Sequence, residues 1–263
     1  MEHLTTRRTV LRLLAAVPLL AAGSNRAVAA KIASIGRLIQ ASRTLAHVSQ
    51  RIDFISRSLL GVRYQAHTLI GGPKHQERFV VRDDAFDCVT FCEVVLAAAI
   101  ARNLDEFEIS LRRIRYDHGK VRYDQRNHYF ADWVQRNIGN RICQPVSIEP
   151  FIVVDKIVTR HREFGQHQVS IAAIAKSTLL SNVKLLAPGD IIGFTSQRSD
   201  LDFFHAGLVA FGKSGDLLLR HASQSRGRVV EEKMATFVTI NPVKYVTLLR
   251  AAEPDPAPPA QRA

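Results

Sequence analysis

Apolar residues recur at helical spacing between Ala33 and Leu60, where Ile52, Ile55, Leu59 and Leu60 fall on one stripe ahead of Gly61. That pattern predicts one or two amphipathic helices closed by a glycine stop. A polar stretch through Gly71, Gly72 and Pro73 has turn chemistry and ends at Asp87. From Val89 to Ala101 the chain is almost wholly apolar and rich in alanine. Such a run is too long for a strand and predicts a buried helix, with Asp87 as N-cap and Cys88 in the first turn. Another helix is expected from Asp105 to Arg115, with Phe107, Leu111 and Ile114 inward, and one more opens near Asn127 with Trp133 inward. Beyond Cys143 the period drops toward two. Residues 152–154 and 169–171, Ile191 to Phe194, His205 to Phe211, Asp216 to Ser223 and Tyr245 to Leu249 read as strands, punctuated by Pro188-Gly189 and by Gly212 to Gly215.

Two of those strands carry histidines at meeting ends. An antiparallel pair joined by a short turn sets the start of one beside the end of the next, so His205 and His221 are expected to be neighbours. A thiol in the first turn of a helix faces unpaired N–H groups and the positive end of the dipole, both of which favour thiolate. Cys88, His205 as proton acceptor and His221 as orienting group make the set a cysteine hydrolase needs. The bland alternative is a small buried cysteine and a chance pair among ten histidines. Of the remaining thiols, Cys88 and Cys92 stand one turn apart, a poor disulfide geometry, whereas a Cys92–Cys143 bridge stays open. No CxxC or HExxH spacing accompanies them, so no metal is expected. The polar and aromatic run that includes Arg115, Tyr116, Asn127, His128 and Tyr129 suits a carbohydrate or peptide pocket and equally a well-bonded structural turn. Tyr64 is either a substrate contact or a core-edge tyrosine.

Composition narrows the setting. The 263 residues are 46% hydrophobic and 23% charged, with a formal charge of +12, an ordinary globular make-up with a bias toward anionic surroundings. Because the basic residues are scattered and no recognition motif accompanies them, nucleic acid is not an expected partner. The first 29 residues run from a basic segment with Arg7-Arg8 through an apolar stretch to Ala27-Val28-Ala29, the order of an export signal. The paired arginines suggest the twin-arginine route, with a Sec signal as competitor. The apolar stretch falls short of the roughly 20 residues that span a bilayer, so a soluble periplasmic protein without a stable membrane anchor is expected. Residues 30–250 then form the catalytic domain. A proline-rich tail at 251–263 is expected to be disordered.

Several of these segments together resemble a known family. Asp87-Cys88, Pro188-Gly189-Asp190-Ile191-Ile192, His205-Ala206-Gly207-Leu208-Val209 and Arg220-His221-Ala222-Ser223 follow in order the pattern of the NlpC/p60 superfamily of papain-like cell-wall hydrolases. Leu60-Gly61-Val62-Arg63-Tyr64 looks like its leader segment. Phe86 to Phe91, Ile114-Arg115-Tyr116, Asn127 to Phe130 with Asp132-Trp133, and Leu179-Leu180 resemble the N-acetylmuramoyl-L-alanine amidase-like branch. The resemblance implies an α+β, papain-like fold with family-specific helical insertions and the cysteine helix packed on an antiparallel sheet. It implies hydrolysis of the amide between N-acetylmuramic acid, in the anhydro form of small muropeptides, and L-alanine, by a monomer that uses no cofactor. Cys88 would be nucleophile, His205 base and His221 the third member. Tyr64, Asp87, Arg115, Tyr116, Asn127, His128 and Tyr129 would contact substrate.

Cys92 and Phe204 depart from the usual pattern, and a long turn between the histidine strands leaves Ser223 or Gln224 as other third groups. Two other functions remain open. One is a γ-D-glutamyl-diamino-acid endopeptidase of the same superfamily; the other is a non-catalytic murein-binding protein.

Overall fold

The computed structural model describes residues 34–254. The expected export signal and the last part of the tail lie outside these residues. The helical stretch predicted near the start divides into α1 (residues 34–42) and α2 (Val48–Ser58). Short strands β1 (Arg63–Tyr64), β2 (Ile70–Gly72), β3 (His75–Arg78) and β4 (Ala85–Phe86) lead to α3 (Cys88–Ile100), followed by α4 (Leu104–Arg115) and α5 (Phe130–Gly139). The second half supplies β5 (Cys143–Pro145), β6 (Ile152–Val158), β7 (His167–Ala175), α6 (Lys176–Ser181), β8 (Ile191–Thr195), β9 (Phe203–Phe211), β10 (Leu217–Ser223), β11 (Arg228–Lys233), α7 (Met234–Ile240) and β12 (Tyr245–Ala251).

The result is a mixed α+β fold with a curled sheet, ordered β4-β1-β11-β10-β9-β8-β12-β7-β6, with β5 pairing β12 and β2–β3 forming a separate hairpin. Every pairing in the large sheet is antiparallel except β1 with β4. Helix α3 packs between α2, α4, β9 and β10. Residues Thr90 to Ala99 are all buried, which is why that run is apolar on every side.

Alternation along β9 divides the interior. Ala206 and Leu208 join the core built on α2 and α3, whereas Val209, with Leu219 of β10, packs with Phe237 of α7. Arg220 fastens the first layer: its guanidinium, with the side chain 1% exposed, meets Asp53 at 3.0 Å and also bonds Ser56 and Glu231. A fully paired arginine of this kind ties α2 to the sheet without leaving an unmatched buried charge.

Two expectations are corrected. The chain does not become a free tail at residue 251: the Ala252 N–H donates to the Ile142 carbonyl at 2.9 Å, and Glu253 accepts from the Val48 N–H at 2.9 Å. The open possibility of a Cys92–Cys143 bridge is not realised either, since Cys88, Cys92 and Cys143 are all free thiols.

Candidate active site

The sequence places a cap one residue before the thiol, and the structure uses it. Asp87 Oδ1 accepts from the Val89 and Thr90 N–H groups at 3.1 and 2.8 Å, and from the Thr90 hydroxyl at 2.9 Å. Thr68 donates to Oδ2 at 3.3 Å. This carboxylate holds the start of α3 in place. The backbone N–H groups of Ala206, Cys88 and Val89 lie close enough to the Cys88 sulfur to favour its charged form. Ala206 directly follows His205, so the tip of α3 and the start of β9 meet at the sulfur.

Electrostatics at that sulfur differ from what the helix dipole alone suggests. Burial, and then the Asp87 carboxylate, push the thiol up to about 12, and the three N–H groups only partly offset them. The protonated thiol is therefore the resting form, contrary to the expected thiolate, because desolvation disfavours the charge by more than one helix terminus returns. Tyr64 lies within electrostatic reach of the sulfur. Burial, followed by the adjacent Cys88 and Asp87, holds its phenol above the ordinary range, leaving it a proton donor.

The two histidines meet as expected. His205 Nε2 lies 2.6 Å from His221 Nδ1, with the rings nearly perpendicular at 88°. Gly207 makes this approach feasible, since a Cβ there would stand 2.7 Å from Leu219 Cδ1 and 3.0 Å from His221 Cβ. Phe194 and Phe237 pack on the pair. Burial, then the neighbouring His221, push His205 down to about 3; burial likewise lowers His221, opposed by Glu232. Both rings are neutral near pH 7. His221, and not Ser223 or Gln224, is the group that meets His205. Ser223 instead bonds Ser225 at 3.2 Å.

One member escaped the sequence reading. Glu232 of β11 lies 2.8 Å from His221 Nε2 through Oε1. The available signal was local: a tight turn ending at Gly227 and then Arg228-Val229-Val230, a β-branched run that returns along the strand of His221.

Five of the expected substrate contacts are engaged in contacts within the protein. Arg115 has its side chain 2% exposed and is bonded to Glu93 at 2.7 Å and to the Val80 carbonyl at 2.7 Å. Tyr116 is wholly buried and donates to Glu77 at 2.8 Å. Asn127 donates to the Ile114 carbonyl at 3.0 Å while its oxygen accepts from Arg136. His128 Nε2 is spent on the Tyr123 carbonyl at 2.6 Å. Asn127 and His128 stitch the α4–α5 connection together, while Arg115 and Tyr116 tie it to α3 and β3, which fits the structural-turn alternative. Tyr129 is buried, accepts from the His161 N–H at 3.1 Å and stacks on His167, so its contacts run to the β6–β7 connection.

A cavity of about 330 Å³ lies elsewhere, walled by Val134, Ile138, Phe151, Ile171 and Leu248 among others, with no cysteine or histidine in its lining. Among the described residues no group of three or more His, Cys, Asp or Glu is arranged to hold a metal ion, and no helix is long and apolar enough to cross a membrane.

The family model for N-acetylmuramoyl-L-alanine amidase-like (AmiA-like) proteins matches residues 54–244. The chain belongs to that family. The matched span includes α3, both histidine strands and β11. The chain is also similar in structure to an N-acetylmuramoyl-L-alanine amidase of Bacteroides uniformis, with TM-score 0.67 and 23% identity over 83% of this chain and 99% of that one. A Legionella pneumophila protein superposes with TM-score 0.73 and 22% identity over 89% and 97% of the two chains. A Bacteroides fragilis protein described as a putative xylanase gives 0.66 and 24% over 74% and 98%. Likeness at this identity establishes the shared fold of the family member and its neighbours. No curated protein matches the chain.

Proposed function

We propose that this protein is a cysteine-dependent cell-wall amidase that cleaves the bond between N-acetylmuramic acid and L-alanine in muropeptides, with the anhydro sugar as its preferred form. Family membership and the amidase neighbour support the coarser reading of a peptidoglycan amidase. The observation that carries the finer one is the Asp87-capped start of α3 at Cys88, packed on β9 and β10, the two strands whose His205 and His221 meet at 2.6 Å. The NlpC/p60-type, papain-like assignment rests on the same order of cysteine helix and histidine strands.

Since thiol and imidazole both rest neutral, proton transfer accompanies attack. Cys88 attacks the lactyl carbonyl while His205 takes the thiol proton. The Cys88 N–H group and the Tyr64 phenol are the donors at hand for the oxyanion. As the C–N bond breaks, His205 passes its proton to the amine of L-alanine. Water then hydrolyses the thioester, with His205 again accepting a proton, and the free thiol is restored. The periplasmic setting is part of the proposal and rests on the signal-like pattern of the first 29 residues.

The test is digestion of synthetic anhydro and reducing disaccharide-peptides followed by mass spectrometry. Release of the intact peptide with free L-alanine at its N-terminus supports the amidase. Cleavage after γ-D-glutamate would assign the endopeptidase instead. Parent-rate turnover by Cys88→Ala would end the cysteine mechanism.

A further inference from the structure

Three ionisable groups on consecutive strands form one hydrogen-bonded line: His205 Nε2 to His221 Nδ1 at 2.6 Å, then His221 Nε2 to Glu232 Oε1 at 2.8 Å. The register explains it, because His221 sits opposite Val230 and Glu232 is the same-face residue two positions along. Glu232 keeps its side chain 22% exposed while His221 is 2% exposed, so the carboxylate is the solvated end of an otherwise buried line.

We propose that Glu232 is a positioning residue that acts through His221 to fix the tautomers of both rings, leaving His205 Nδ1 unprotonated as the base. The inference rests on the amidase reading and deepens it. A neutral imidazole has one N–H and one lone pair, whereas a carboxylate only accepts. Facing Glu232, His221 must carry its proton on Nε2. Its Nδ1 is then bare and accepts from His205, whose proton is consequently on Nε2. Nδ1 of His205 is left with its lone pair free. An amide or hydroxyl in place of Glu232 would both donate and accept and would leave the line free to reverse. The carboxylate also offsets the positive charge that His205 gains on taking the thiol proton. The aromatic neighbours of the rings are Phe194, Phe204 and Phe237. Asp87, Tyr64, Cys92 and Glu93 are the titratable groups near the sulfur.

The experiment compares the full-length parent with Glu232→Gln and Glu232→Asp, reading kcat and KM against pH on a disaccharide-peptide. In parallel, two-bond ¹H–¹⁵N correlation spectra report the tautomers of His205 and His221 without requiring turnover. The parent is expected to show both rings protonated at Nε2. Glu232→Gln should stay folded, lose roughly 10²-fold in kcat with little change in KM, and show His221 shifted toward the Nδ1–H form, by comparison with an orienting carboxylate one step closer to its base. Glu232→Asp should recover part of both. An Nδ1-protonated His205 in the parent, or a kcat loss in Glu232→Gln with both tautomers unchanged, would overturn the proposal. So would parent-rate turnover by Glu232→Gln. Cys88→Ala separates the two readings, because its continued turnover would remove the cysteine mechanism while the spectra still decide the tautomers.

Discussion

Glu93 of α3 and Arg115 of α4 meet at 2.7 Å with 4% and 2% of their side chains exposed, so the helix that carries the thiol is held from behind by a buried ion pair. Burial pushes the Glu93 carboxyl up, and Arg115 is what pulls it back. Removing the arginine leaves the acid unpaired in the interior. Arg115→Ala is expected to destabilise the protein by about 3 to 5 kcal/mol, as broken buried pairs do, while KM of the remaining folded enzyme stays near the parent value. Urea denaturation with steady-state kinetics checks both. A raised KM at unchanged stability would restore Arg115 to the substrate site.

The same pair shows why some contacts are legible in the sequence and others are not. Cys88 is announced locally by Asp87 before it and the apolar run behind it, and His205 and His221 by the strand–turn–strand pattern around Gly212 to Gly215. Arg115 gives no such cue. An arginine at the end of an amphipathic helix looks exposed until its partner, 22 positions upstream, is known to lie against it. Glu232 was hidden for the opposite reason: Glu231-Glu232-Lys233 resembles a solvated surface, and only the β10–β11 register turns the middle carboxylate toward His221.

Burial of Cys88 has a measurable signature. With the thiol raised to about 12, against about 8.5 for a free cysteine, iodoacetamide should label it more slowly than it labels a small thiol at pH 7. The rate should keep rising to strongly alkaline pH. Asp87→Asn keeps a capping oxygen and removes the second cause of the shift, so its labelling curve should move toward lower pH. A parent curve already level at neutral pH would contradict the resting thiol.

Acid should weaken the fold through its histidines. Burial first of all lowers His205 to about 3 and His128 to about 4, against an unfolded value of about 6.5. With folded values below the unfolded one, the unfolded chain binds more protons throughout the interval. Stability is then full above about pH 6.5 and falls as pH drops toward 4 and 3. Thermal unfolding across that range should show Tm declining, and His128→Gln should flatten the part of the decline above pH 4. A flat parent profile between pH 6.5 and 4 would show that His128 is not buried neutral.

Gly207 offers a probe of the ring pair that touches neither ring chemically. A methyl group there would stand 2.7 Å from Leu219 Cδ1, 3.0 Å from the Arg220 carbonyl and 3.0 Å from His221 Cβ. The Leu219 side chain can turn aside, but the carbonyl and Cβ belong to β10, so relief requires β9 and β10 to separate locally. Gly207→Ala is therefore expected to cost about 1 to 3 kcal/mol, the usual range for overpacking. It should also lengthen the 2.6 Å contact between His205 and His221, lowering kcat roughly 10-fold, a fraction of the roughly 10²–10⁴-fold that positioned proton transfer contributes. KM should change little. Urea denaturation gives the first quantity and kinetics the second. Loss of stability with kcat intact would show that proton transfer at the thiol does not depend on that contact.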